Sequence, residues 1–290
     1  MMERKRNTLA YLLAVLMFGC LGLLLRLISL PSDIVVLSRC ILGSLFVLLL
    51  MKLRGHRMDK AAIRKNGKWL VISGACMGWN WLLLFAAYRY TTVAIASLCN
   101  YVAPILVIFA AAFLFREKLS RIKMFCVAGA LAGIVLVSGV IEGAELPPDS
   151  PKGILFALLA ALGFAAVVLC NRKMSGIDNL DKCVMQLLSA TVAVLPFVLY
   201  SNWGKPLQPD LQSVLLTVLI GLVFTGGAYC LYFSALGTLP VQSIAILGYL
   251  EPVISVLCSV LILREPITAL GIIGAVLTVG SAAASELIRE

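Results

Sequence analysis

One carboxylate and one proline stand where an apolar sequence can least accommodate them. Glu251 and Pro252, within "GYLEPVIS" (248–255), interrupt an apolar run from Val241 to Leu263. A charge at the centre of a membrane helix costs about 2.5–3.5 kcal/mol, and such groups mostly face a cavity or a partner. Three roles stay open for Glu251: a structural or gating anchor bonded to another helix, a proton carrier, and an acceptor for a cationic group of a solute. Pro252 has no N–H for the carbonyl four residues back, so the Gly248 carbonyl needs another donor. At roughly 100° per residue, Gly248, Glu251, Ser255, Cys258 and Ser259 share one small, polar stripe suited to line a pathway.

Arg39 is the other deep charge, about 9 Å from the end of its apolar block at 1.5 Å per residue. It either snorkels to the surface, receives a carboxylate or phosphate in a central cavity, or pairs with Glu251. Asn80 shares a helical face with Ser73, Cys76 and Ala87, so it either bonds a solute or joins two helices. The same choice applies to Gln186. Pro104 frees the Asn100 carbonyl as Pro252 frees that of Gly248. Trp79, Tyr101, Tyr229, Tyr232 and Tyr249 are candidate cavity aromatics, with membrane-interface anchoring as the plainer alternative. The spacings Gly74-x-x-x-Gly78 and Gly129-x-x-x-Gly133 offer small faces for close helix packing.

These residues must be positioned by membrane helices. Of 290 residues 61% are hydrophobic and only 13% charged, about half the charge of a soluble domain. Ten apolar blocks of roughly bilayer length run over 8–28, 33–51, 69–88, 92–115, 122–140, 153–171, 183–201, 211–233, 240–263 and 267–285, with 52–68 and 141–152 as surface loops. The period-two alternation of a membrane β-barrel is missing. With the N-terminus placed in the cytoplasm, 18 of the 24 Lys and Arg fall on the inner side and six on the outer. This asymmetry puts both termini in the cytoplasm and accounts for the net charge of +10 without nucleic acid. The opening "MMERKRNTLAYLLAVLMFGC" resembles a signal peptide, but its apolar run continues to Ile28, so an uncleaved first helix is expected. The nine cysteines and the single histidine, His56, have no metal-ligand spacing and read as buried small hydrophobes and a loop residue.

Shifted by 148 residues, 85–119 lies over 233–267. Phe85/Phe233, Ala87/Ala235, Val93/Val241, Tyr101/Tyr249, Pro104/Pro252, Arg116/Arg264 and Glu117/Glu265 coincide without gaps. The chain is therefore two five-helix units, 1–140 and 153–290, joined by a linker at 141–152. An odd helix number turns the second unit upside down in the membrane. Inverted repeats are the architecture of alternating-access carriers. Arg116-Glu117 and Arg264-Glu265 then lie at opposite surfaces, either as a latch that differs between two states or as plain interfacial ion pairs.

Ten helices in two halves, each with a late Tyr-x-x-Pro and an Arg-Glu further on, resemble the drug/metabolite transporter superfamily, EamA type. The resemblance is strongest in 74–140 and 222–285. It implies a bacterial inner-membrane exporter of amino acids, other metabolites or toxic compounds. It also implies a cavity built by the first four helices of each half, with the fifth and tenth supporting the assembly. No protease, esterase or P-loop motif is present, so the expectation is a non-enzymatic secondary transporter needing no cofactor or metal. Its partners are a small-molecule substrate and the lipid bilayer, with energy from an ion gradient (protons being one candidate), from a substrate gradient or from another subunit. A channel and a non-transporting sensor or scaffold are the alternatives.

Overall fold

The computed structural model describes residues 2–103, 105–107, 110, 121–137, 141, 147–236, 247–248 and 250–287. Ten apolar helical segments follow one another: α1 (Arg6–Arg26, broken at Cys20), α2 (Ser32–Leu53), α3 (Lys60–Tyr90), α4 (Val93–Asn100), α5 (Arg121–Val137), α6 (Ser150–Lys173), α7 (Asn179–Ser201), α8 (Leu211–Tyr232), α9 (Leu250–Ile262) and α10 (Ala269–Leu287). Six of them, α1, α2, α3, α6, α7 and α8, are long and apolar enough to cross a membrane. Short polar side chains start several of them. Asp59 accepts from the Ala61 and Ala62 N–H groups, Thr92 from Ile95, Asp178 from Leu180 and Asp210 from Ser213. These bonds satisfy donors that a helix start otherwise leaves orphaned.

The packing has the inverted two-fold expected from the repeat. α3 lies against α6 and α7, and α8 lies against α1 and α2. α4 touches α6 as α9 touches α1, while α2 pairs with α7, α4 with α9 and α5 with α10. Exchanging the first five helices for the last five leaves this list unchanged. The relation extends to single residues. Asp33, at the start of α2, accepts from Ser201 and from Asn202 (2.7 Å) beyond α7. Asp181, 148 residues on, accepts from the Asp59 N–H (3.0 Å) and bonds His56 (2.9 Å) in the connection beyond α2. Each aspartate thus ties one end of the α2–α7 pair.

Glycines set the close approaches. A Cβ on Gly74 would stand 2.4 Å from the Gln186 carbonyl of α7, and one on Gly78 2.7 Å from Val194. A Cβ on Gly133 would meet Thr278 of α10 at 2.3 Å. Both small-residue faces therefore serve packing within the chain.

The expected surface loop at 52–68 needs correction, because α3 already begins at Lys60. Hydropathy stops at the charges Lys60, Arg64, Lys65 and Lys68, yet Ala62, Asn66 and Leu70 are buried at helical spacing. Asn66 also exchanges two hydrogen bonds with the Ser175 backbone (3.0 and 3.1 Å), which holds this extension against the connection after α6.

Candidate functional site

Pro252 and its orphaned carbonyl organise the site. The Gly248 carbonyl accepts a 2.7 Å hydrogen bond from the hydroxyl of Tyr101, which follows α4 in the other half. The proline of one repeat is thus completed by a tyrosine of the other. A phenol has one proton to give, and here the Gly248 carbonyl holds it. Glu251 lines the same cavity as Tyr101.

Around this centre lies a cavity of ≈ 20 Å³ between the halves. α1 contributes Phe18 and Gly19, α3 contributes Leu84 and Tyr88, and α4 contributes Ser97 and Asn100. Glu251, Pro252 and Ser255 of α9 form the opposing wall. That volume holds about one water molecule, whereas solute sites occupy roughly 300–1,000 Å³. The cavity as it stands is too small for a solute of that size.

One end of the cavity is tied by layers of polar contacts. Ser97 and Ser255 bond each other at 2.6 Å, and Tyr88 reaches Ser97 at 3.2 Å. Next come Cys20 and Cys258, with sulfurs 3.8 Å apart. Outermost is Glu265. Its carboxylate pairs with Arg26 of α1 (2.7 Å), accepts from the Val93 N–H at the start of α4 (2.7 Å) and accepts from Ser259 of α9 (2.5 Å). Arg26 also donates to the Thr91 carbonyl (2.6 Å). Arg264 has φ = 53°, a left-handed conformation costly for a residue with a Cβ. This turn brings Glu265 back onto α9, where its N–H bonds the Ser259 carbonyl (3.0 Å).

Several predicted site residues converge on this centre, and others do not. Glu251, Tyr101, Gly248, Asn100, Pro252 and Ser255 come together. Tyr229 and Tyr232 stand one layer away, Tyr229 with its ring 5.3 Å from that of Phe18 and Tyr232 5.4 Å from that of Tyr11. Trp79 is a correction: it is 41% exposed and packs on Phe197 of α7, on the outside of the bundle. Asn80 donates to the Ala160 carbonyl (2.7 Å) and to Asn100 (3.2 Å), so it joins α3 to α6 and reaches the cavity only through Asn100. Gln186 likewise bonds Ser73 and Asn171 (both 2.8 Å). Pro104, Tyr249, Arg116 and Glu117 lie outside the described residues.

Arg39 does not snorkel, being 1% exposed, and it forms no ion pair with Glu251. Its guanidinium lies over the Trp81 ring at 3.9 Å and near Phe85 at 5.1 Å, and its Nε donates to Thr225 of α8 (3.1 Å). Thr225 sits in a π-helical stretch, Leu222–Gly227. The sequence reading missed Phe18, Tyr88, Ser97 and Arg26. A scan for charges and prolines does not find single aromatics and serines in apolar helices, and Arg26 at a helix end looks like any topology signal.

Fold and site together define a polytopic, all-α membrane protein of ten helices in two inverted five-helix repeats, closing on a small polar centre in its middle. The chain belongs to the EamA-like transporter family, whose model matches it twice, over residues 6–139 and 151–285. It is a membrane transporter. It is 26% identical over 254 residues to the "Uncharacterized transporter YxxF" of Bacillus subtilis, covering 88% of this chain and 81% of that one. It is 26% identical to the "Aromatic amino acid exporter YddG" of Ancylobacter novellus, with 77% of each chain covered. A solved structure titled "Crystal structure of protein" superimposes with a TM-score of 0.66 at 23% identity, covering 98% of this chain and 99% of the other. That likeness concerns the fold alone.

Proposed function

We propose that this transporter carries a small metabolite, amino acid or drug-like solute out across the bacterial inner membrane by alternating access, with both termini in the cytoplasm. The units 1–140 and 153–290, linked by 141–152, move against each other, and the solute binds between them near mid-membrane. Glu251 is the site through which a proton gradient drives the cycle. The observation that carries this reading is the Tyr101–Gly248 hydrogen bond beside Glu251 on one shared cavity, where the backbone of one half is completed by a side chain of the other. The closed cavity around it supports a cycle in which binding needs separation of α1, α4 and α9. The printed name of the Ancylobacter relative supports export of an amino acid.

The test is counterflow in proteoliposomes against a mixed pool of amino acids and metabolites, read by mass spectrometry, with Glu251→Gln alongside. The wild type is expected to exchange a defined solute and to concentrate it under a pH gradient. Glu251→Gln is expected to exchange without concentrating. Equal concentration by both proteins removes Glu251 from coupling, and saturation-free flux without counterflow replaces the carrier with a channel.

A further inference from the structure

Arg39 is a buried cation without a counter-ion among the described residues. None of their carboxylates lies within ion-pair distance of it, and its Nη1 is buried without a hydrogen-bond partner. A fully desolvated charge is tolerated only when paired or well hydrogen-bonded. The single bond to Thr225 and two aromatic faces compensate it incompletely. Thr225 gives its own proton to the Ile220 carbonyl (2.8 Å), so its oxygen serves Arg39 as acceptor.

The surroundings look built for this group. The π-helical turn that presents Thr225 is a feature that clusters at functional sites. A Cβ on Gly43 would meet Thr225 at 2.9 Å, and Cβ atoms on Gly221 and Gly226 would meet Leu42 and Phe46 at 2.6 Å. Glycines therefore bring α2 and α8 together around Arg39. The inverted repeat supplies an internal comparison. Six residues after Asp33 stands Arg39, and six after Asp181, at the same 148-residue offset, stands Leu187, an apolar side chain equally buried at 1% exposure. Packing at this depth is thus met in one half by an apolar side chain, and the other half keeps a charge.

Arg39 also lies close to the cavity. Tyr88 lines it with its ring 6.2 Å from that of Phe85, and Tyr229 has its ring 6.3 Å from Trp81 and 5.3 Å from the cavity-lining Phe18, so both rings that face Arg39 lead to the cavity wall. One aromatic layer separates the cation from the carboxyl centre.

We propose that Arg39 is the receptor for a carboxylate on the transported solute, reached when the Tyr88–Tyr229 layer parts, so that this protein selects solutes bearing a single carboxylate over the analogues in which that group is an amide. The proposal rests on the transporter reading and narrows its substrate class. A planar guanidinium over Trp81 with its Nη1 unpartnered can meet a carboxylate in the bidentate geometry that lysine cannot reproduce. A single cation suits one negative charge and not a phosphate dianion.

The test compares L-leucine, L-phenylalanine and 4-methylpentanoate, each against its primary amide. The detergent-solubilised protein is read by thermal unfolding, and the same preparation by counterflow. The acids are expected to stabilise and to exchange, with the amides at least ~10-fold weaker, as expected for a lost charged hydrogen bond. Arg39→Gln is expected to erase that discrimination, and Arg39→Lys to weaken it while keeping the charge. The wild-type acid-to-amide ratio needs no variant, so it decides the matter even where Arg39→Gln fails to fold. Acids that bind no better than amides overturn the role of Arg39, while counterflow still supports the carrier. Acid-selective binding without counterflow keeps the role of Arg39 and overturns the transport reading.

Discussion

Truncating Glu265 to alanine removes in one step the tie among α1, α4 and α9. The Arg26–Glu265 pair joins side chains 28% and 13% exposed, so after solvent screening it contributes about 1 kcal/mol. The carboxylate bond from the Val93 N–H, at a helix start, adds about 1–2 kcal/mol, and the Ser259 bond about 1 kcal/mol. Release of the left-handed Arg264 returns about 1 kcal/mol. The net loss is about 2–3 kcal/mol, a change of about 30- to 150-fold in the ratio of open to tied arrangements at this end. Glu265→Gln keeps one acceptor and loses the ion pair, a change of about fivefold. Cys20 on α1 and Cys258 on α9 report the arrangement, because their sulfurs lie 3.8 Å apart, a short shift from a 2.05 Å bond. With the other cysteines replaced, oxidation by copper phenanthroline is expected to be fast in the wild type. It should be slower in Glu265→Gln and slowest in Glu265→Ala. Equal rates in all three, at equal folded yield, would refute the latch.

Tyr101→Phe leaves the Gly248 carbonyl without its donor and is expected to cost about 1–3 kcal/mol, read as a lower unfolding temperature in detergent together with impaired solute exchange. Gly74→Val drives a side chain into the α7 backbone and is expected to lower folded yield on size-exclusion chromatography. Gly67→Ala, at a position with nothing within 4 Å, stabilises by about 0.4–1 kcal/mol. Hydrogen bonds from Ser213 and then Ser29 hold the Asp210 carboxyl down at about 2 against an ordinary 3.8. Its contribution is therefore present above about pH 4 and lost as pH falls towards 2, so Asp210→Asn should flatten the acid side of a stability–pH curve within that window.

Much of the architecture is legible along the chain because membrane helices satisfy their own backbone. Apolar blocks of bilayer length and short polar caps suffice to place helices, and the 148-residue repeat suffices for inversion. The carbonyl freed by Pro252 is equally legible, since the clash and the missing donor are local properties of proline. Where the apolar signal ends, the reading loses the helix, as at Lys60–Lys68, because burial of Ala62 and Asn66 depends on what lies opposite.

Sequence alone determined the class, the inverted halves and the position of the one carboxyl inside an apolar run, all of which follow from local chemistry and from periodicity. Only the tertiary structure decided that Tyr101 of one half serves Gly248 of the other, that Trp79 faces outward, and that Arg39 lies on Trp81 with no carboxylate among the described residues in ion-pair range. Those facts depend on the rotation and approach of neighbouring helices. In a bundle where nearly every face is apolar, hydropathy carries no record of that rotation; it is set by glycine contacts and a few buried hydrogen bonds between residues far apart in the chain.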